Sequence, residues 1–177
     1  MNVLELLNQH SSRRLVDSIV ELIGYDKELF DEVVALSFSE PYPINMRASW
    51  VIQHYCAKNA TFIQSHLDDI LQKLNSSQVA GVKRNYIKIF ACYANLNKIE
   101  NLGKLIDLCF LFFNDPAETI AVRVFCLDVL LKVGETEPDL IPEIIDSIMF
   151  HSEYFSAGLK NKAGKVIKKL SKNRISI

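Results

Sequence analysis

The chain has 177 residues and a formal net charge of −1, with 49% hydrophobic and 23% charged residues. This balance excludes a global field that would attract nucleic acid or an anionic membrane, so such binding would depend on how the charges are distributed. Glycine (6) and proline (5) are scarce, which argues against a turn-rich all-β fold and favours long helices.

Targeting signals and cysteine usage both give information on the cellular compartment of the protein. The N-terminal segment has an acid at Glu5 and no basic region, so we expect no secretory signal peptide. The longest apolar stretch, 105–113, is far shorter than the about 20 residues that a membrane-spanning helix needs. The cysteines all lie in helical patterns and are expected to be reduced, buried and apolar in character: Cys56, Cys92, Cys109 and Cys126. These features predict a cytoplasmic protein.

Apolar spacing and capping residues predict consecutive helices in the N-terminal half. Residues 2–9 are expected to form a short helix that covers the open end of the core. Ser11 or Ser12 is expected to cap a helix that ends at Gly24, and Asp26 to cap the next one. Further helices are predicted from Asn45 (as N-cap, after Pro41 and Pro43) to Lys58, from a Thr61–Gln64 capping box to Leu74, and from Gln78 to Ala94.

The best-marked helix lies in the C-terminal half, over residues 116–133. Asp115 is its expected N-cap, Pro116 its first residue and Glu118 the partner in a capping box. Gly134 is expected to end it in the left-handed conformation. The neighbouring helices are predicted at 99–113, from Pro138 to Phe150, and from Ser156 to Leu170, followed by a basic tail.

The helices alternate between two kinds, which we call motif helices and companion helices. Each motif helix contains a basic residue, defined here as position zero, and the spacings between these residues are 34, 36, 40 and 37. Residues at positions three, four and seven after it share one helical face, which is mostly apolar. The residues at position zero are Arg13, Arg47, Lys83, Arg123 and Lys160. A period of this length with two helices per unit is typical of an α-solenoid.

One unit resembles a HEAT repeat. It reads Leu102-x-x-Leu105-Ile106-x-Leu108-Cys109, then Asn114-Asp115-Pro116, then Val122-Arg123-x-x-Cys126-Leu127-x-x-Leu130. More residues separate Asp115 from Arg123 than in the family pattern. The resemblance implies an all-α fold: a right-handed α-solenoid of about five antiparallel helix pairs, a HEAT-like superhelix.

The repeat further predicts a single domain over residues 1–177. Within it, residues 1–10 are expected to form an N-terminal cap segment, and residues 156–177 the terminal helix and basic tail. The repeat positions predict structural roles for Arg47, Trp50, Arg123, Leu127 and Leu130. Trp50 has an alternative role as a stacking platform, as in the HEAT-like DNA glycosylases, but its position in the repeat favours the core.

The sequence lacks the common phosphate-binding, nucleophile and metalloprotease motifs. Its four histidines have no second ligand at convincing spacing, since a metal site needs three or four converging ligands. They are His10, His54, His66 and His151. We therefore predict a non-enzyme with no metal and no cofactor.

The charges separate between the two kinds of helix. The motif segments 13–23, 46–58, 78–94, 116–133 and 156–170 together carry +10, whereas the companion segments 27–38, 62–74, 99–113 and 138–149 carry −7. In a HEAT-like superhelix the second helix of each unit lines the concave side, so the resemblance implies a basic concave face. Its expected residues are Lys83, Arg84, Lys88, Lys160, Lys162, Lys165, Lys168 and Lys169. The alternative is that these residues are structural ladder groups and a solvated terminal helix.

Two functions follow from this distribution. The first is a non-catalytic interaction or scaffold module that binds an acidic peptide or protein on the concave face. The alternative is a HEAT-like DNA-binding or alkyl-base glycosylase-type protein, for which Asp128 is the candidate carboxylate. We expect a monomer that does not associate with membranes, and the sequence does not identify the partner.

Overall fold

The computed structural model of the protein describes residues 2–174, with side chains described for residues 2–171. The described part is all-α, as the sequence predicts, with ten α-helices and no strand. The helices are α1 Val3–Gln9, α2 Arg13–Ile23, α3 Lys27–Ser39, α4 Ile44–Cys56, α5 Leu67–Ser76, α6 Ala80–Cys92, α7 Leu102–Asn114, α8 Ile120–Gly134, α9 Ile141–His151 and α10 Ala157–Arg174. Residues 175–177 of the expected basic tail lie outside the described residues.

The helices form five consecutive pairs: α1/α2, α3/α4, α5/α6, α7/α8 and α9/α10. The even-numbered members are the motif helices. The chain divides into two compact units, unit 1 at Met1–Glu100 and unit 2 at Asn101–Ile177. In unit 1, α4 packs against α2 and α6, and also against α1 and α3. In unit 2, α8 packs against α7, α9 and α10. A single domain over 1–177 stays a prediction.

The core of unit 1 is rich in aromatic rings. Phe30 lies 4.8 Å from Tyr55 between ring centroids, and Tyr55 stacks on Phe62 at 5.8 Å. The Tyr55 hydroxyl donates a hydrogen bond to the carbonyl oxygen of Gly24 over 3.0 Å, which joins α4 to the end of α2. These rings bury a large apolar area while the hydroxyl keeps a polar partner, as buried tyrosines require.

The core of unit 2 is built around α8. Leu127 and Leu130 are fully buried, as their repeat positions predict. Phe113 of α7 meets Phe155 edge-on, with 5.6 Å between ring centroids. Val122 and Cys126 are also fully buried, so the predicted apolar face of this motif helix is its core face.

Two of the predicted caps in unit 1 are confirmed and two are wrong. Ser12 accepts from the amide of Leu15, and Asp26 from that of Leu29. Asn45 does not cap α4, which begins at Ile44 directly after Pro43. Gln64 does not complete a capping box, because 62–65 is a short 3₁₀ turn and α5 begins only at Leu67. Gln64 instead donates to the carbonyl oxygens of Ala60 and Tyr93 and accepts from the amide of Asn95, and the long sequence separation of the last two partners hides this role.

The predicted ends of the best-marked helix are both wrong. Asp115 accepts from the amide of Ala117 in a local turn, and Thr119 caps α8 by accepting from the amide of Val122. The residues between Asp115 and Thr119 thus lie before the helix, which accounts for the extra length relative to the HEAT pattern. Gly134 is the last helical residue, and the described glycine with a positive φ is Gly24, at +49°.

Packing explains why residue 134 is a glycine. A Cβ at this position would lie 3.1 Å from Leu170 Cδ2 and 3.2 Å from Ile144 Cδ1. The absence of a side chain therefore lets α8 approach α9 and α10 closely.

The cysteines follow the sequence prediction with one exception. Cys56, Cys109 and Cys126 are buried, whereas Cys92, at the end of α6, is exposed. Burial raises the pKa of the Cys56 thiol well above its usual range. The three buried thiols act as small apolar side chains in the core.

Candidate binding faces of the motif helices

Arg123 is buried beneath the surface of unit 2, at 7% exposure. Its Nε donates a hydrogen bond to the carbonyl oxygen of Phe113, and its guanidinium carbon lies 5.7 Å and 5.3 Å from the ring centroids of Phe113 and Phe155. Burial lowers the pKa of Arg123, and the negative charge of Asp115 opposes this shift. These contacts support the structural role that the repeat predicts.

Arg47 makes a corresponding set of contacts in unit 1. Its Nε donates to the Ser11 hydroxyl over 2.7 Å, and one terminal nitrogen donates to the carbonyl oxygen of Leu7 over 2.6 Å. The side chain thus joins α4 to the end of α1 and to the segment before α2. This second motif arginine also serves packing between helices.

The cations expected on the basic face divide between the two units. Lys83, Arg84 and Lys88 lie on α6 of unit 1, with Lys83 and Lys88 half-buried and Arg84 exposed. Arg84 reaches the side-chain oxygen of Asn85 at 3.5 Å. The five lysines expected on the terminal helix lie on α10 of unit 2. Each unit therefore has its own basic motif helix, and we treat these as two candidate faces.

Two of the α10 lysines pair with acids that lie on or just after α8. Lys162 pairs with Asp128, and Lys169 lies 2.5 Å from Glu135. Lys160, Lys165 and Lys168 are exposed. Asp128, the carboxylate considered for a glycosylase, is therefore engaged by a cation in this structure.

Lys160 borders a shallow groove between α9 and α10, with a volume of about 360 Å³. Its floor is apolar and includes Ile148, Phe155 and Ala163, and Met149 on its edge is 59% exposed. This groove gives unit 2 an apolar surface next to a cation.

Trp50 and His54 lie one turn apart on α4 in unit 1. Both are half-buried, and their rings meet edge-on with 5.8 Å between centroids. The corresponding residues of α2 and α6, Val16 and Val20 in one and Tyr86 and Phe90 in the other, are buried. The prediction that Trp50 lies in the core is therefore only partly correct, because this face of α4 is partly exposed.

The electrostatic environment of His54 comes from three motif helices. Burial and the positive charges of Arg13 and Lys88 lower the pKa of His54, as does Lys58, while Asp17 raises it. Asp17 is itself held by Arg13, whose Nε lies 2.9 Å from both carboxylate oxygens. Three cations and one acid, with a net positive charge, therefore act on His54.

Sequence reasoning missed a buried polar contact beneath this face. The Asn85 side chain donates to the Ser49 hydroxyl over 3.0 Å, and both residues are almost fully buried. Both stand two residues after position zero, a repeated polar residue that could have indicated the contact. Together with the hydrogen bond from Gln53 to the Tyr93 hydroxyl, at 3.4 Å, it fixes α4 against α6.

The described residues contain neither a metal-binding group nor a membrane-spanning helix. Among residues 2–174, no group of three or more His, Cys, Asp or Glu residues is placed to hold a metal ion. Within the same part of the chain, no helix is long and apolar enough to cross a membrane.

Comparison with known proteins agrees with the arrangement of the helices in pairs. The sequence profile of the HEAT repeat domain matches residues 3–170. The chain therefore belongs to the HEAT repeat domain family. Searches of the curated proteins and of the solved structures gave no significant match.

Proposed function

We propose that the protein is a non-catalytic interaction module whose motif-helix faces bind an acidic segment of a partner protein. HEAT repeats generally act as scaffolds for protein interaction, which supports the class. The finer assignment, an acidic partner, rests on one observation, the separation of charge between neighbouring helices.

The charge separation occurs in both units. Helix α6 carries Lys83, Arg84 and Lys88 and no acidic residue, while α3 carries three acids and one lysine. In unit 2, α10 carries only basic charges, while α9 carries Glu143 and Asp146 without lysine or arginine. An acidic partner would be attracted to the motif helices and repelled by the companions, which sets its orientation and speeds association.

The second candidate function is nucleic-acid binding, and the half-exposed Trp50 among cations is the observation that favours it. Aromatic rings within basic surfaces stack on bases in single-stranded nucleic acids. The pairing of Asp128 with Lys162 speaks against a glycosylase that would use this carboxylate.

Cysteine usage supports a cytoplasmic location, which we include in the proposal. Three cysteines are core residues of the helices and Cys92 is an exposed thiol. Thiols of this kind are usual in proteins of reducing compartments.

The test compares binding partners on the full chain. We expect a labelled oligo-aspartate peptide to bind, and an oligo-lysine peptide of equal length not to bind. The variant Lys83→Glu/Arg84→Glu/Lys88→Glu should lose most of this affinity, while Lys98→Glu/Lys104→Glu, which reverses two exposed charges outside the motif helices, should keep it. Circular dichroism checks that both variants remain helical.

Short single-stranded DNA provides the deciding arm. Tight DNA binding that falls steeply with added salt, with no binding of the acidic peptide, would replace this proposal with the nucleic-acid function. Loss of peptide binding in both charge-reversal variants alike would show that binding is unrelated to α6.

A further inference from the structure

The surface of α4 departs from the repeat at one place. Positions three and seven of a motif helix belong to its buried face, and Val16, Val20, Tyr86 and Phe90 follow this rule in unit 1. On α4 the same positions hold Trp50 and His54, which are amphipathic and half-buried. This change from apolar core residues to two partly exposed rings marks a candidate recognition site.

The neighbouring helices bring mostly positive charge to this place. Arg13 and Asp17 come from α2, Lys58 follows α4, and Lys88 comes from α6. Asp17, the single acid among these four residues, accepts hydrogen bonds from Arg13 at both carboxylate oxygens. Because Arg13 and Asp17 neutralise each other, Lys58 and Lys88 leave a net positive charge near the Trp50 and His54 rings, which is complementary to a carboxylate.

The other two helices that pack against α4, α1 and α3, carry acids of their own. On α1, Glu5 is part of the capping box with Asn2. On α3, Asp31 lies 2.5 Å from Lys27 and 2.8 Å from His66, and the remaining acids of this helix, Glu28 and Glu32, are exposed.

We propose that the acidic partner segment of unit 1 docks on Trp50 and His54, and that a partner carboxylate binds together with a proton taken up by His54. The inference rests on the proposed function and adds a location and a pH dependence to it. Trp50 supplies apolar contact for the partner chain, and the imidazolium donates a charge-assisted hydrogen bond to the carboxylate.

The proton uptake follows from electrostatics. In the unliganded protein, burial and the surrounding cations disfavour the charged imidazolium and hold the pKa of His54 below its usual value. A bound carboxylate offsets the charges of Arg13 and Lys88 and favours the imidazolium directly. Binding and protonation of His54 therefore strengthen each other, as thermodynamic linkage requires.

The first measurement is the affinity of an oligo-aspartate peptide as a function of pH. A rise of one unit in the pKa of His54 on binding corresponds to about tenfold tighter binding at low pH, once His54 is protonated in both states. We expect the affinity to rise as the pH falls from about 8 to about 5.5, a range in which aspartate stays ionised because its pKa is about 3.9. The variant His54→Gln should bind with nearly constant affinity, and His10→Gln, at an exposed histidine outside the site, should behave as the wild type.

The second measurement uses Trp50, the single tryptophan of the chain, as a reporter. A protonated imidazole in contact with an indole quenches its fluorescence. At constant pH near 6.5 the peptide should therefore quench Trp50 emission in the wild type but not in His54→Gln, 6.5 being about the ordinary pKa of histidine.

Three results of these measurements would contradict the proposed role of His54. Peptide binding that is equally independent of pH in the wild type and His54→Gln would overturn this inference and leave the proposed function intact. Absence of peptide binding at every pH would reject both. Tighter binding at low pH that persists in His54→Gln would assign the proton to another group and would also overturn it.

Discussion

The Nε atom of Arg123 donates a hydrogen bond to the carbonyl oxygen of Phe113 across 2.9 Å. Phe113 lies in the last turn of α7, where carbonyl groups have no partner within the helix. Arg47 contacts the last turn of α1 in the same way, through the carbonyl oxygen of Leu7. In both units the motif arginine thus donates a hydrogen bond to a carbonyl group at the carboxyl end of a preceding helix. Its positive charge lies where the helix dipole is negative.

Replacement of Arg123 tests this role. Arg123→Met keeps much of the side-chain volume over Phe113 and Phe155 but removes the donor and leaves a buried carbonyl unpaired. We expect the free energy of unfolding to fall by about 1–3 kcal/mol, measured by urea denaturation. Lys104→Met, at an exposed site on α7, should change it by less than about 0.5 kcal/mol. Comparable losses in the two variants would argue against a buried structural arginine.

The two faces of a motif helix should differ strongly in their contribution to stability. Leu127 is fully buried, so Leu127→Ala should lower the free energy of unfolding by about 2–5 kcal/mol through lost burial and a residual cavity. Lys165 is exposed on α10, and Lys165→Ala should change it by less than about 0.5 kcal/mol. Chemical denaturation of both variants checks this, and a small loss at Leu127 would refute the repeat register.

Two helical glycines in unit 2 should respond to alanine in opposite directions. Gly164 lies within α10, and a Cβ there meets nothing within 4 Å, so Gly164→Ala should stabilise the protein by about 0.5–1 kcal/mol through helix propensity. A Cβ at position 134 would crowd Leu170 and Ile144, so Gly134→Ala should lower the melting temperature. Thermal unfolding compares the pair, and stabilisation by both variants would contradict the close approach of α8 to its neighbours.

The lowered pKa of His54 predicts an acid-dependent loss of stability. In the unfolded chain the pKa of this histidine returns to about 6.5, so below that pH the unfolded state binds more protons than the native state. The contribution of His54 is therefore present above the unfolded pKa and is lost as pH falls through the lower native pKa. We expect the wild type to lose more stability than His54→Gln in this range, and equal stability changes above it. Parallel pH profiles from denaturant titrations would show that the pKa of His54 is not lowered.

The sequence by itself determined the helices, the repeat and most of the buried side of the motif helices. These features follow from local chemistry: a period of 3.6 residues places positions such as Leu127 and Leu130 on one face, and a period of two helices makes neighbouring units share a core. Ser12 and Asp26 were predictable as caps because their bonds reach only a few residues along the chain.

Only the tertiary structure decided which of several equivalent residues performs each task. Asp115 and Thr119 both suit an N-cap, and the choice of Thr119 fixes where α8 begins. Lys162 and Lys169 look like other surface lysines in sequence, but their acidic partners lie on or just after α8, more than thirty residues away. Trp50 and His54 occupy positions that read as core, and their partial exposure depends on how α2 and α6 pack beside α4. Spacing along one helix specifies a face, whereas the contacts of that face depend on segments distant in the chain.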